Sequence, residues 1–416
     1  MNVVFCLLME CCILKGKHSF FRMFEDNGKF RTRRSSFMKR YLTKWWPIAL
    51  VLVICAGMIW GSGFIFEGGY LPNRLNRDVQ YYSATVLDVL NEDLGPDNYT
   101  EEFTVGVQEI QVEITDGPYK GEIHTFKNHI SRLYNTIVKK DTDIIVGTYI
   151  NDGEILDLTV SSYERHTVLG LLAIIFCALV AWIGKLKGVK SLVSLFFTGV
   201  CVVFLMLPLM LSGMNPVLAA IIIVFLSTFV TLWLVAGLNK KSITAMIGTL
   251  SGVLIATLIA YAFSELAHLS GGTMQDTEAL LYVSETSHLQ VKGLLLAGIL
   301  VASLGAVMDV AMSIASAMFE LSSVNEKLSY KALIRSGMNV GTDMIGTMTN
   351  TLILALAGGS LSTVILIYSA TISHLQLINL DVLGTELIQG IAGSIGIVIT
   401  VPVTVLVAAF FCMKRK

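Results

Sequence analysis

A lone carboxylate, Asp309, stands inside an apolar run of this 416-residue chain, within Gly305-Ala306-Val307-Met308-Asp309-Val310-Ala311-Met312-Ser313. A charge at the centre of a bilayer-spanning helix costs at least ~2.5 kcal/mol, so such a residue marks either a pathway or a pairing. Helical spacing puts Ala302, Gly305, Asp309, Ser313 and Ser316 on one small, polar-edged face suited to close helix packing. That face is expected to look into a helix bundle. The next apolar stretch carries Asp343, Thr347, Asn350, Thr351 and Leu354 at spacings of three and four. At a rise of ~1.5 Å per residue, Asn350 reaches about the depth of Asp309, and the two are expected to meet. No Lys or Arg lies at that depth. The chemistry available is then that of an acid exchanging a proton or holding a cation, tuned by hydrogen bonds from Thr347, Asn350 or Thr351. The same groups fit a permanently neutral contact between helices equally well, and Asp343, near the start of its helix, fits a cap.

These residues need long apolar helices to position them, and the composition supplies them. Apolar residues make up 54% of the chain and charged residues 15%, against ~25% charged in ordinary soluble domains. The mean hydropathy is +0.68. Disordered, collagen-like and soluble-enzyme classes are excluded on this ground, and a net charge of -1 gives no basic footprint for nucleic acid. The seven Cys form neither a disulfide framework nor a metal spacing, and no metal or cofactor is expected.

Eight stretches approach the ~20 residues that cross a bilayer: Pro47 to Phe66, Val168 to Gly184, Val189 to Leu211, Pro216 to Gly237, Ile243 to Ala267, Gly293 to Phe319, Gly341 to Tyr368 and Leu387 to Cys412. Basic residues collect on alternate connections: Arg31 to Lys44 before the first stretch; Lys185, Lys187 and Lys190; Lys240 and Lys241; Lys327, Lys331 and Arg335; and Lys414 to Lys416. By the positive-inside rule both termini are cytoplasmic. The other connections are acidic or neutral, with Glu265, Asp276, Glu278, Glu285, Asp381 and Glu386. The fold class expected is an α-helical integral membrane protein of about eight spans, with a small all-β extracytoplasmic domain between helices 1 and 2.

The organisation follows: a basic cytoplasmic tail over 1–46, helix 1 over 47–66, the β-rich domain over 67–167, a seven-helix domain over 168–412 and a short tail over 413–416. Met1 to Leu14 reads as part of the tail, with Met1, Met23 and Met38 as alternative starts; Trp45 and Trp46 suit an interfacial belt. In the β-rich domain, alternation marks strands over Ser83–Val89, Phe103–Glu113, Gly121–Phe126, Asp143–Ile150 and Leu156–Tyr163. Turn signals stand at Asp116-Gly117 and Asn151-Asp152-Gly153. Five such strands imply a small closed barrel of OB-like or SH3-like type. With 18 acidic and 8 basic side chains it offers either a solvated exterior or a surface for a cation or protein partner. Asn98-Tyr99-Thr100 fits a glycosylation acceptor.

Gly248 with Gly252, and Gly337 with Gly341, match small-xxx-small helix packing, as does Gly305 on the face of Asp309. Gly390, Gly393 and Gly396 indicate close packing or a bend, Pro208 and Pro402 indicate kinks, and Thr273 to Leu289 reads as an interfacial helix. His268, His288 and His374 lack metal-ligand spacing, and hydrolase, phosphate-loop and intramembrane-protease motifs are absent. The expectation is a protein that is not an enzyme.

The runs Gly305 to Ala317 and Ser336-Gly337-Met338-Asn339-Val340-Gly341-Thr342-Asp343-Met344-Ile345-Gly346-Thr347-Met348-Thr349-Asn350-Thr351-Leu352-Ile353-Leu354 resemble the YibE/F family of bacterial multi-spanning membrane proteins. The resemblance covers roughly Arg40 to the C-terminus. The first span with its external barrel resembles the YibE branch, which implies a YibF-like membrane partner and a Gram-positive plasma membrane. More distantly, Gly305 to Asn350 is similar to one helix pair of the SecD/SecF branch of RND transporters, where intramembrane polar groups serve proton-driven work. This chain departs from that pattern in its span count and in having Phe319-Glu320-Leu321 where an Arg-Glu run would stand. The function expected is that of a transporter or permease-like protein with a proton relay at Asp309 facing Asn350. The alternative is a non-catalytic assembly protein whose barrel binds a partner, and self-association is a further expectation.

Overall fold

The computed structural model describes residues 30–65, 79–97, 99–100, 103–151, 154–269, 280, 283–284, 287–291, 293–325, 328–370 and 373–413. The Met1 to Leu14 tail, Met23, Asn98, Asp152-Gly153, most of the Thr273 to Leu289 segment, Asp276, Glu278, Glu285, Lys327 and Lys414 to Lys416 lie outside them. The chain divides into two compact units, one built on Gly68–Leu179 and one on Glu25–Glu67 with Val180–Lys416.

The first unit holds five antiparallel strands: β1 (Val79–Pro96), β2 (Thr104–Ile114), β3 (Ile123–Ile130), β4 (Asp143–Asn151) and β5 (Glu154–Tyr163), in the order β3-β2-β1-β4-β5. Alternation drives it, because Ala84, Val86, Ile110, Val112, Ile114, Ile144 and Val146 all turn to one buried face. The sheet curls so that its edge strands β3 and β5 approach each other, with no ladder joining them among the described residues, and the small β domain expected from the strand count is a curled antiparallel sheet. β1 is far longer than its predicted span. It pairs with β4 along its first half and with β2 from Ala84 onward, skipping Leu87 and Leu90, and irregularities of this kind bend a strand.

A buried polar network fixes the segment between β3 and β4. The Gln108 amide nitrogen donates to the Val138 carbonyl at 3.1 Å and to Glu92 at 2.9 Å, while its oxygen accepts from Val138 N–H at 3.0 Å. Asn128 donates to the Thr136 carbonyl at 2.9 Å. Gln108→Leu strands the buried Val138 groups at a cost of about 2 kcal/mol, enough to raise local opening roughly thirtyfold. Amide hydrogen exchange at Val138 in the full-length protein checks this; unchanged exchange would show that the network does not hold the segment.

A second tie joins the β1–β2 loop to the Ser131–Asn135 turn. Arg132 reaches Asp97 through Nε at 2.9 Å and Nη2 at 3.0 Å and stacks over Tyr99 at 4.5 Å, while Asp97 also accepts from Tyr99 N–H and from Thr100. The Arg132 hydrogen bond leads the forces that hold this carboxyl below the usual carboxylate range. A carboxylate lowered by folding stabilises the loop above its unfolded value of about 4, and the contribution is lost as pH falls through the lower folded value. Exchange at Tyr99 and Thr100 is therefore expected to accelerate, relative to intrinsic rates, below about pH 4, and Arg132→Ala, which removes the leading cause of the lowering, should make exchange there faster at neutral pH and flatten its dependence on acid.

The second unit is helical. In chain order the helices are α1 (Phe30–Ile65), α2 (His166–Cys201), α3 (Leu207–Leu211), α4 (Pro216–Ala236), α5 (Lys240–Leu266), α6 (Leu294–Val324), α7 (Tyr330–Gly359), α8 (Leu361–Ser369), α9 (His374–Ile378) and α10 (Asp381–Met413), with α2 beginning in the first unit. The helix of α1 starts at Phe30, so the tail read over 1–46 is helical from there on. Trp46 meets Trp233 of α4 edge-on, with ring centroids 5.6 Å apart.

Among the described residues six helices are long and apolar enough to cross a membrane, and α7 with α8, bent by 64°, makes a seventh if counted as one span. The bend follows Gly358 and Gly359, poor helix formers that end α7 at Ser360. The difference from eight lies in the 46-residue stretch His166–Leu211, about 69 Å long as a straight helix and more than twice a bilayer core. It is not straight. Lys185 leaves helical geometry (φ 48°, ψ −134°), and a Cβ on Gly188 would lie 2.2 Å from the Val180 carbonyl oxygen, so the backbone folds back there. Pro208 is preceded by a π-turn over Val202–Met206, which realigns the backbone where proline can donate no hydrogen bond. The core is formed by α5, α6, α7 and α10, with α4 against α5 and α6.

Candidate functional site

α7 is started by Ser329, whose hydroxyl accepts from Ala332 N–H. It runs antiparallel to α6, and three contacts fix the register. A Cβ on Gly337 would touch Met318, one on Gly341 would come within 3.3 Å of Ile314, and Leu352 and Ser303 both meet Gly393 of α10. Interpolating between these levels puts Asp309 level with Gly346, and Gly305 level with Asn350. Asn350 therefore stands about one helical turn, ~6 Å, away from Asp309 along the axis. Counting from assumed membrane edges misses this, because α6 extends to Val324 and α7 begins at Tyr330. Asp309 is the central residue of α6, with fifteen residues on either side.

The expected direction of the Asp309 face is corrected. Val307, Val310, Ala311 and Ile314 are fully buried, while Gly298, Ala302, Gly305, Asp309 and Ser313 are exposed. Both faces of α6 carry small residues, but the mainly apolar one, on which the Ser303 hydroxyl bonds back to the Ile299 carbonyl, fits against α5, α7 and α10, and the polar-edged one is left exposed. The same holds on α7, where Gly337 and Gly341 are buried and Asn339, Thr342, Asp343, Gly346, Thr347, Asn350 and Thr351 are exposed. The two polar faces lie on neighbouring helices.

Asp309 and Asn350 make no hydrogen bond to each other or to any other described residue. Thr347 does not reach Asp309 either. Its hydroxyl donates to the Met344 carbonyl at 3.2 Å, Thr351 donates to Thr347 at 2.9 Å and Thr342 to Met338 at 2.8 Å. Back-bonding of this kind is the default for threonine within a helix and uses the proton that would have tuned the acid. Asp343 is not a cap, since it lies well inside α7.

The packing glycines separate into two groups. Gly248 and Gly252 of α5 press on Thr404 and Thr400 of α10, and Gly337 and Gly341 press on Met318 and Val401. A Cβ on Gly305, by contrast, would meet nothing within 4 Å. Two charged residues extend the exposed faces beyond those singled out from sequence: Glu320 on α6 and Arg335 on α7, level with each other by the same register and joined in no ion pair. The three-and-four spacing continued back through Thr342, Asn339 and Arg335 would have found the second. No three His, Cys, Asp or Glu side chains group closely enough to hold a metal ion among the described residues.

The family model for YibE/F-like proteins matches residues 172–414. The chain belongs to the YibE/F-like family. The match in this YibE/F-like protein spans α6 and α7 with their polar faces, and α1 and the β unit lie outside it. No curated protein and no solved structure matches the chain. Family membership and the apolar helices together indicate a membrane protein.

Proposed function

We propose that this is an eight-span plasma-membrane protein of transporter or permease type, in which the α6–α7 polar face centred on Asp309 passes protons or a small cation. The break at Lys185 supports eight spans by dividing the 46-residue stretch in two, and the basic connections support cytoplasmic termini. One observation carries the functional reading: a carboxyl at the midpoint of a helix about 46 Å long is exposed and unbonded, with Asp343 and Asn350 within two turns. A carboxyl held for packing alone would be enclosed and hydrogen-bonded. A membrane-permeant carbodiimide should modify Asp309 in native membranes, read by mass spectrometry with Asp309→Asn as control. An Asp309 that stays unmodified under conditions that label other membrane carboxyls would remove the reading.

The accessory alternative has its own support. Tyr99, Leu133 and Tyr134 are 83%, 83% and 64% exposed on the two loops that Asp97 and Arg132 tie together, an apolar tip suited to a protein partner. Deleting residues 67–167 separates the two readings: loss of all function, with Asp309 dispensable, would favour the accessory role.

A further inference from the structure

The exposed face of α6 and α7 is unfinished within a single chain. In a helical unit with exposed apolar side chains such as Phe225, Leu258, Leu366 and Phe410, this face carries an acid, an amide and two opposite charges that make no side-chain hydrogen bond or ion pair with a described residue. Its shape is also incomplete, because Gly305 and Gly346 have open space where a side chain would stand. The two helices complement each other residue for residue. In the antiparallel register Asn350 is level with Gly305, Asp309 with Gly346, and Glu320 with Arg335, so each projecting polar group is matched by a glycine or by the opposite charge on the other helix. A two-fold axis along the membrane normal preserves depth and brings α6 of one copy against α7 of the next, and such isologous contacts are the commonest kind. We infer that two copies of this chain pair through this face, with Asn350 of each seated over Gly305 of the other and Glu320 of each against Arg335 of the other. Close approach at glycine and interhelical polar contacts are what drive helix association in lipid, where apolar surface gives no advantage. The inference stands on packing and charge and holds whether or not Asp309 carries protons.

The test places a photo-crosslinking benzophenone amino acid at Ser313 of the full-length protein in native membranes. The expected product is a species of twice the 45.4 kDa chain mass, containing peptides of this chain alone. Glu320→Arg should lower its yield at least tenfold by setting like charges together, and adding Arg335→Glu should restore it. Gly305→Leu should abolish it while the protein still accumulates. An adduct with a different protein, no adduct, or a homodimer band indifferent to both Glu320→Arg and Gly305→Leu would each overturn the pairing.

Discussion

Gly252→Leu is expected to prevent assembly of the helical unit, so that the protein fails to accumulate in membranes. At this crossing of α5 and α10 a Cβ on Gly252 would lie 1.8 Å from the Thr400 hydroxyl oxygen, 2.9 Å from the Gly396 carbonyl and 3.0 Å from Val307. Two of the obstacles cannot yield. The Gly396 oxygen is backbone, and the Thr400 hydroxyl is held by its own bond to that carbonyl at 2.7 Å. Gly396 is also tight, its Cβ position lying 2.8 Å from Ala256 and 2.9 Å from the Gly252 carbonyl. Overpacking a core usually costs about 1–3 kcal/mol through shifts of neighbours, and here the helices must separate along a contact that also involves Gly248 and Thr404. Fluorescence-detected size-exclusion chromatography of tagged protein reads the outcome. Gly252→Ala should be impaired and partly rescued by Thr400→Ala, which removes the nearest atom. Gly305→Leu, with open space around it, should leave the amount of folded protein unchanged. Equal recovery of Gly252→Leu and Gly305→Leu would contradict the packing described.

The β unit is legible in the sequence because alternation survives in its strands: all five are expected there, and the structure forms them as one curled sheet. Length is misjudged where one strand serves two partners, since β1 gains its second half from β2 rather than from its own pattern. Among the helices the packing glycines stand out by spacing, and Gly248, Gly252, Gly337 and Gly341 do lie at tight crossings. Spacing alone does not tell which small-residue face of α6 packs inward. Gly305 and the buried Val307-Val310-Ala311-Ile314 face are both small, and only the shapes of α5 and α10 decide between them. The depth of Asn350 is unreadable for a related reason: it depends on where α6 ends and α7 begins, and a hydropathy window does not mark those points. The backbone reversal at Lys185 leaves a clearer trace, in three lysines between two apolar runs.

Asp309→Asn is expected to lower transport roughly hundredfold or more, the range in which removing a proton-exchanging group acts, with the protein still inserted and still paired. The amide keeps the volume and the hydrogen-bonding capacity of the acid and removes only its exchangeable proton and charge. A packing role would therefore survive the change, whereas a relay would not. Asp309→Glu should retain part of the activity, because it keeps a titratable carboxyl on the same face of α6. Asp343→Asn, one turn along α7, should cause a smaller loss, and Thr347→Val little, since that hydroxyl is already engaged with the backbone of α7. Wild-type rates in both Asp309→Asn and Asp343→Asn would leave this face with no role in transport.

The most direct test is proton flux through the purified full-length protein in liposomes carrying an internal pH dye, driven by an imposed membrane potential. Acidification above that of empty liposomes is expected in wild type, with a return to the empty-liposome rate in Asp309→Asn. If only a cation gradient drives the signal, the same dependence on Asp309 should appear with that cation. Wild-type flux equal to that of empty liposomes for protons and for monovalent and divalent cations alike, or flux that persists undiminished in Asp309→Asn, would contradict a relay at Asp309.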